Sequence, residues 1–160
     1  MSPFTGTDRF SILRLLGSGA TGAVYDAFDA ERQIPVALKV PHDSAARDLS
    51  LFKREFRALA ALTHPNLAGL YEVLSHGPDW FYTMERVEGG TLFEELCPDR
   101  RPCRDYQRVR ALLRQLAEGV WALHQAGRLH RDLKPSHARV DPAGRVVLLD
   151  YGFTLDGRAR

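Results

Sequence analysis

The spacing of apolar and polar residues changes character about halfway along the chain. Over the first forty residues the runs are short or alternate: ILRLLGSG ends at a glycine cluster, AVYDAF has period two, and IPVALKV is rich in β-branched residues and bounded by Pro35 and Pro41. Such runs predict strands. SLFKREFRALAAL then places Leu51, Phe52, Phe56, Leu59 and Leu62 at helical spacing. That helix should stop at Thr63-His64-Pro65-Asn66, because a proline disfavours helix in the residue before it. Two more strand-like runs follow, LAGLYEVLSH and WFYTMERV, split by Gly77-Pro78-Asp79.

From Glu88 onward the period is helical. Glu88-Gly89-Gly90 breaks the strand pattern as a hinge would, and Thr91 is placed to cap a short helix, LFEEL. The longest helix is predicted over Tyr106 to Gln125, with an apolar stripe of Val109, Leu112, Leu113, Leu116, Val120 and Leu123 and a stop at Gly127. After the loop LHRDLKPSHARV come a short strand ARV, a turn at Asp141-Pro142-Ala143-Gly144 and the strand RVVLL. The fold class is therefore α+β, a small sheet-rich lobe followed by a helical one, joined near Glu85 to Gly90. No internal repeat or low-complexity tract interrupts it.

Composition narrows the function. The 160 residues suffice for one ordinary domain, and 44% hydrophobic with 26% charged residues is the balance of a soluble globular protein. A formal charge of +2, with both signs interspersed, argues against a nucleic-acid partner or a polybasic membrane segment. MSPFTGTDRF lacks the apolar core of a signal peptide, and no apolar run reaches the roughly 20 residues of a membrane span. A cytoplasmic location follows as an expectation, and Cys97 and Cys103 read as free thiols.

Five features carry candidate chemistry. The glycines of Gly17-Ser18-Gly19-Ala20-Thr21-Gly22-Ala23-Val24 are followed by a period-two strand, which argues against a dinucleotide-binding turn, and Ala23 stands where a Walker A loop needs lysine. A glycine hairpin over phosphates fits, since missing side chains let backbone N–H groups approach an anion; a plain β-turn is the alternative. Lys39 lies inside the apolar strand VALKV and is costly to bury alone, and Glu55 on the next helix is a possible partner. Each also has a bland reading, an outward strand residue and a solvated helix face. Lysine occurs only at Lys39, Lys53 and Lys134, so a lysine kept within a strand suggests a task for a compact ammonium rather than a planar guanidinium. Asp132 could accept a proton from an attacking hydroxyl, and Asp150, just past a strand, is a natural Mg²⁺ ligand.

The order glycine loop, strand lysine, helix glutamate, HRDLKP, DYG resembles that of a eukaryotic-type Ser/Thr protein kinase domain of the bacterial kind. GSGATGAV is similar to the Gly-rich loop, VALK to the strand-3 lysine motif, LHRDLKPS to the catalytic loop, and DYG stands where DFG is usual. HPNL and MERVEGGTL also resemble family segments, and the likeness runs from about Phe10 to Gly152. It implies a two-lobed kinase-like fold: residues 1–85 as an N-lobe of five strands and one helix, and residues 86–160 as hinge and incomplete helical C-lobe. It implies ATP and Mg²⁺ as cofactors and proteins with Ser/Thr hydroxyls as substrates. By position, Lys39 would contact the α- and β-phosphates and pair with Glu55, Asp132 would be the base, and Lys134 would reach the γ-phosphate. Gly17, Ser18, Gly19, Ala20, Thr21, Gly22, Val24 and Ala37 would surround the nucleotide. Met84 would be the gatekeeper, with Glu85 and Val87 bonding adenine through their backbones. Leu59, Leu70, His130 and Tyr151 would form an internal spine.

Two departures qualify these roles. His137 occupies the position of an asparagine that ligates the second metal and bonds the loop's own backbone. With Asp150 it would form the metal set, and a nitrogen there predicts a weakened Mg²⁺ site and slower turnover. The sequence also stops eight residues past Gly152, before the helices that would cover the Tyr106–Gln125 helix, so its apolar stripe is expected to face water unless a missing segment or a partner covers it. A nucleotide-binding pseudokinase is the competing reading, and a small-molecule phosphotransferase a third.

Overall fold

A computed structural model describes residues 4–19, 21–42, 49–77 and 79–151. The chain divides into two compact units, Met1–Ala60 with Gly69–Arg86, and Ala61–Ala68 with Val87–Arg160. The sequence places the division near Glu85; the structure adds that residues 61–68 go with the second unit.

The first unit is an antiparallel sheet in the order β1-β2-β3-β5-β4, built from β1 (Phe10–Gly19), β2 (Gly22–Asp29), β3 (Ile34–Pro41), β4 (Leu70–His76) and β5 (Asp79–Glu85), with one helix, α1 (Leu49–Ala60). Alternation along β2 and β3 sends Tyr25, Ala27, Val36 and Leu38 to one face, where they pack with Phe10 and Phe81 as the core. The opposite face receives α1. Phe52 and Phe56 bury against Trp80 and Tyr82, with ring centroids 4.2 Å apart for Phe52–Trp80 and 5.7 Å for Phe56–Tyr82. Leu51, counted into the helical stripe from sequence, is exposed, because the buried arc is set by Phe52, Phe56 and Leu59.

At the rim of this sheet Arg9 grips Asp29 with two hydrogen bonds, 2.8 and 2.7 Å, and also reaches Glu31 and Glu72. Asp29 is 1% exposed, and the Arg9 guanidinium lowers its carboxyl from 3.8 to about 2 against the opposing effect of burial.

The second unit holds a three-stranded antiparallel sheet of β6 (Gly90–Thr91), β7 (Ala138–Val140) and β8 (Val146–Leu148), with α2 (Leu92–Leu96) and α3 (Tyr106–Gln125). Thr91 caps α2 in a full capping box with Glu94. α3 ends where Gly127 takes a positive φ of 68°, its N–H bonded to the His124 carbonyl. Cys97 and Cys103 are free thiols.

The segment 61–68 is locked in by Asn66. Its side-chain amide donates to the Val146 carbonyl at 2.7 Å and to Gln115 Oε1 at 3.1 Å, and its own carbonyl accepts from Leu148 N–H at 2.9 Å. Gly119 of α3 faces that carbonyl; a β-carbon there would lie 2.8 Å from it. This packing corrects the expectation that the α3 stripe faces water. Leu112 and Leu123 are buried, Val109, Leu116 and Val120 are half-buried, and only Leu113 of the six is exposed. The β7–β8 hairpin and the Asn66 segment cover one side of the helix.

Candidate functional site

Strand register brings several of the sequence-predicted residues together within the first unit. Directly opposed residues in an antiparallel sheet share a face, and so do residues two apart. Val24 pairs with Lys39, and Lys39 with Tyr82; Ala37 pairs with Met84. Val24, Ala37, Lys39 and Met84 therefore lie on one face, and Ala37, Lys39 and Met84 are buried. Phe52 and Phe56 pack on Tyr82 of that same face, so α1 carries the half-buried Glu55 on the Lys39 side of the sheet.

The glycine hairpin caps this arrangement at the β1–β2 turn. Gly22 has a φ of +144°, and a β-carbon there would fall on the Val40 carbonyl, so the fold itself demands glycine. Gly17 and Gly19 differ. A β-carbon at either would meet no described atom within 4 Å, so packing does not require glycine there. Ser18 and Thr21 are exposed beside them, and Ala20 lies outside the described residues. At the far end of β5 the Glu85 N–H donates to the Gly69 carbonyl at 2.7 Å, and Arg86 Nε donates to buried Asp26 at 2.6 Å.

The second unit carries Asp132, Lys134, His137 and Asp150. Asp132 is exposed, and Lys134 Nζ donates to its Oδ2 at 2.9 Å. That bond holds the Asp132 carboxyl below its ordinary range against partial desolvation. His130 is buried and bridges the loop to the strand: Nε2 donates to the Leu149 carbonyl at 3.0 Å while Nδ1 accepts the Asp132 N–H at 3.4 Å. One donor and one acceptor match the neutral ring, and burial lowers the tendency of His130 to protonate. Leu149 N–H in turn donates to the His137 carbonyl at 2.8 Å. The residue before Asp150 is thus pinned through both its peptide groups by the loop that carries Asp132.

Two residues here take left-handed backbone conformations that cost non-glycine residues energy: Arg131 at φ 68° and Asp150 at φ 54°. His137 lies beside Asp132. Its Nδ1 lies 3.0 Å from the Asp132 carbonyl oxygen and 3.3 Å from Oδ2. Val87, the first residue of the second unit after Arg86, is buried. Gly152 lies outside the described residues.

Residues 10–158 match the protein kinase domain family. The chain belongs to the protein kinase family. It is 38% identical over 151 residues to the Serine/threonine-protein kinase pkn2 of Myxococcus xanthus, covering 91% of this chain and 18% of that protein. To the Serine/threonine-protein kinase PknL of Mycobacterium tuberculosis it is 38% identical over 148 residues, 91% of this chain and 37% of PknL. CBL-interacting protein kinase 19 of rice is 35% identical over 149 residues, 91% of this chain and 29% of that protein. The chain spans well under half the length of these relatives. The five-stranded first unit and the helix-bearing second one are those of a partial kinase fold.

Sequence reasoning missed Asn66 and Gln115, which tie residues 61–68 and α3 to β8, and the peptide groups of Leu149, which hold the loop through His130 and His137. Tyr151 carried a readable signal. A tyrosine in place of phenylalanine brings a hydroxyl that must be satisfied when buried, and here it donates to the Ala68 carbonyl at 2.6 Å. Among the described residues no helix is long and apolar enough to cross a membrane.

Proposed function

We propose that this chain carries the nucleotide-binding and catalytic-loop portion of a Ser/Thr protein kinase, which transfers the γ-phosphoryl group of ATP to Ser or Thr hydroxyls of proteins in the cytoplasm. The observation that carries the reading is the loop itself: an ammonium 2.9 Å from an exposed carboxylate, with that carboxylate's amide tied through His130 to the residue before Asp150.

In this reading the hydroxyl oxygen of the acceptor attacks the γ-phosphorus, the bond to the β–γ bridging oxygen breaks, and ADP leaves. Asp132 orients the hydroxyl and takes its proton, late in the step because Lys134 keeps the carboxylate weakly basic. Lys134 neutralises the transferring group. Lys39 binds the α- and β-phosphates with Glu55 as its partner. Gly17, Ser18, Gly19, Ala20, Thr21 and Gly22 lay their backbone over the phosphates, and Val24, Ala37 and Met84 flank the adenine, with Glu85 and Val87 bonding it. The open space above Gly17 and Gly19 supports this, because a packing role would leave no room for side chains there.

No three His, Cys, Asp or Glu side chains among the described residues cluster as a self-sufficient metal site. Mg²⁺ at a nucleotide is commonly held by one or two carboxylates and completed by phosphate oxygens and water. Asp150 and His137 are the groups that would hold Mg²⁺, which supplies charge neutralisation on the phosphates when bound.

A nucleotide-binding pseudokinase is the second reading, favoured by His137. The two are separated by incubating the protein that contains this chain with γ-labelled ATP and analysing the product. Phosphoserine or phosphothreonine supports transfer; nucleotide binding without any labelled residue supports the pseudokinase.

A further inference from the structure

His137 is held on every side but one. Its backbone N–H donates to the Lys134 carbonyl at 2.9 Å, and its carbonyl accepts from Leu149. Its ring stacks on His130 with centroids 6.2 Å apart and planes 23° from parallel. Its Nδ1 faces two oxygens of Asp132, the backbone carbonyl and the carboxylate, and both are acceptors. Nδ1 therefore carries the hydrogen. In the neutral ring the lone pair is then on Nε2, which has no hydrogen-bond partner among the described residues.

An asparagine in this position would bond the carbonyl with its amide nitrogen and offer an amide oxygen. His137 keeps the first bond and substitutes an imidazole nitrogen for the oxygen. Mg²⁺ is a small hard ion that holds to oxygen ligands, whereas Mn²⁺, which also takes oxygen, accepts an imidazole nitrogen in its shell more readily than Mg²⁺ does. The bond from Nδ1–H to a carbonyl fixes the tautomer and raises the basicity of Nε2, as in metal-bound histidines.

We propose that His137 Nε2 is a directed nitrogen ligand that makes the nucleotide–metal site of this chain select Mn²⁺ over Mg²⁺. The inference rests on the phosphoryl-transfer reading, since nucleotide phosphates must complete the ion's shell. Pulsed electron paramagnetic resonance tests it on the protein containing this chain, loaded with Mn²⁺ and a non-hydrolysable ATP analogue, together with competition of Mn²⁺ by Mg²⁺. The expected result is nitrogen coupling from a directly bound imidazole, lost in His137→Asn, and a Mn²⁺/Mg²⁺ preference that falls at least tenfold in that variant. Nucleotide-dependent Mn²⁺ binding with no nitrogen coupling, or with a preference unchanged in His137→Asn, overturns the inference and leaves the kinase reading standing. Failure to bind the analogue with either ion overturns both. Circular dichroism on His137→Asn and His137→Gln separates loss of the ligand from loss of the loop.

Discussion

His130 and Leu149 are joined by a 3.0 Å hydrogen bond from the imidazole Nε2 to the peptide carbonyl, and the same ring accepts the Asp132 amide through Nδ1. One buried neutral ring thus ties Asp132 to the residue preceding Asp150. Replacing it by Phe keeps the volume and removes both bonds. Each lost buried bond costs about 1–3 kcal/mol. His130→Phe is expected to lower the transfer rate by about 10- to 100-fold, with nucleotide affinity changed far less. Rate and affinity measured on the same preparation check this. Equal losses in both would mean that the bridge serves the fold alone.

The glycines separate into two classes. Gly22→Ala places a β-carbon on the Val40 carbonyl in a backbone conformation that disfavours it, so thermal stability should drop by several degrees. Gly17→Ala and Gly19→Ala meet open space and should leave stability within about 1 kcal/mol. Both should nonetheless weaken ATP binding severalfold if the hairpin lies over phosphates. Denaturation curves paired with nucleotide titrations distinguish the two outcomes.

Asn66 lies 80 residues from Val146 and 49 from Gln115, and its side chain bonds both. Asn66→Ala leaves the buried Val146 carbonyl without that donor and should destabilise the second unit by about 2–4 kcal/mol, readable in urea denaturation. Gly119→Ala should act on the same seam, because its β-carbon would press on the Asn66 carbonyl at 2.8 Å. The pair should be less than additive.

These contacts also mark what could be read in advance. Strand periodicity in AVYDAF and IPVALKV placed Lys39 within the sheet, and the stripe of α3 with the stop at Gly127 gave its span, Tyr106 to Gln125. Local chemistry was enough for the Thr91 cap; the reciprocal bond from Glu94 came from the structure. The membership of residues 61–68 in the second unit was not legible, because it depends on side-chain bonds that span most of the chain. The burial of Leu112 and Leu123 was misjudged for the same reason: the cover on α3 comes from Asn66 and the β7–β8 hairpin, which the helical pattern does not reveal. His137 was legible as a departure from the asparagine position; that its Nδ1 would take over the bond to the Asp132 carbonyl required coordinates.

Asp29 gives the first unit a defined acid sensitivity. Its folded value, about 2, lies below the unfolded 3.8, so the unfolded chain binds the proton more readily. The stabilisation is fully present above about pH 4 and is lost as pH falls through 2. The shift corresponds to about 2 kcal/mol. Asp29→Asn should remove that dependence and lower stability at neutral pH by a similar amount, measured as denaturation midpoints across pH 2–7.

The account stands on Asp132 as the group that receives the acceptor's proton. The decisive measurement is the initial rate of γ-phosphoryl transfer from ATP to Ser or Thr by the protein containing this chain, wild type against Asp132→Asn, with nucleotide affinity measured alongside. The account predicts transfer in the wild type, a loss of about 10²- to 10⁴-fold in the variant, and affinity within a few-fold. Undiminished transfer in Asp132→Asn, or no transfer by a wild type that binds ATP, would contradict it.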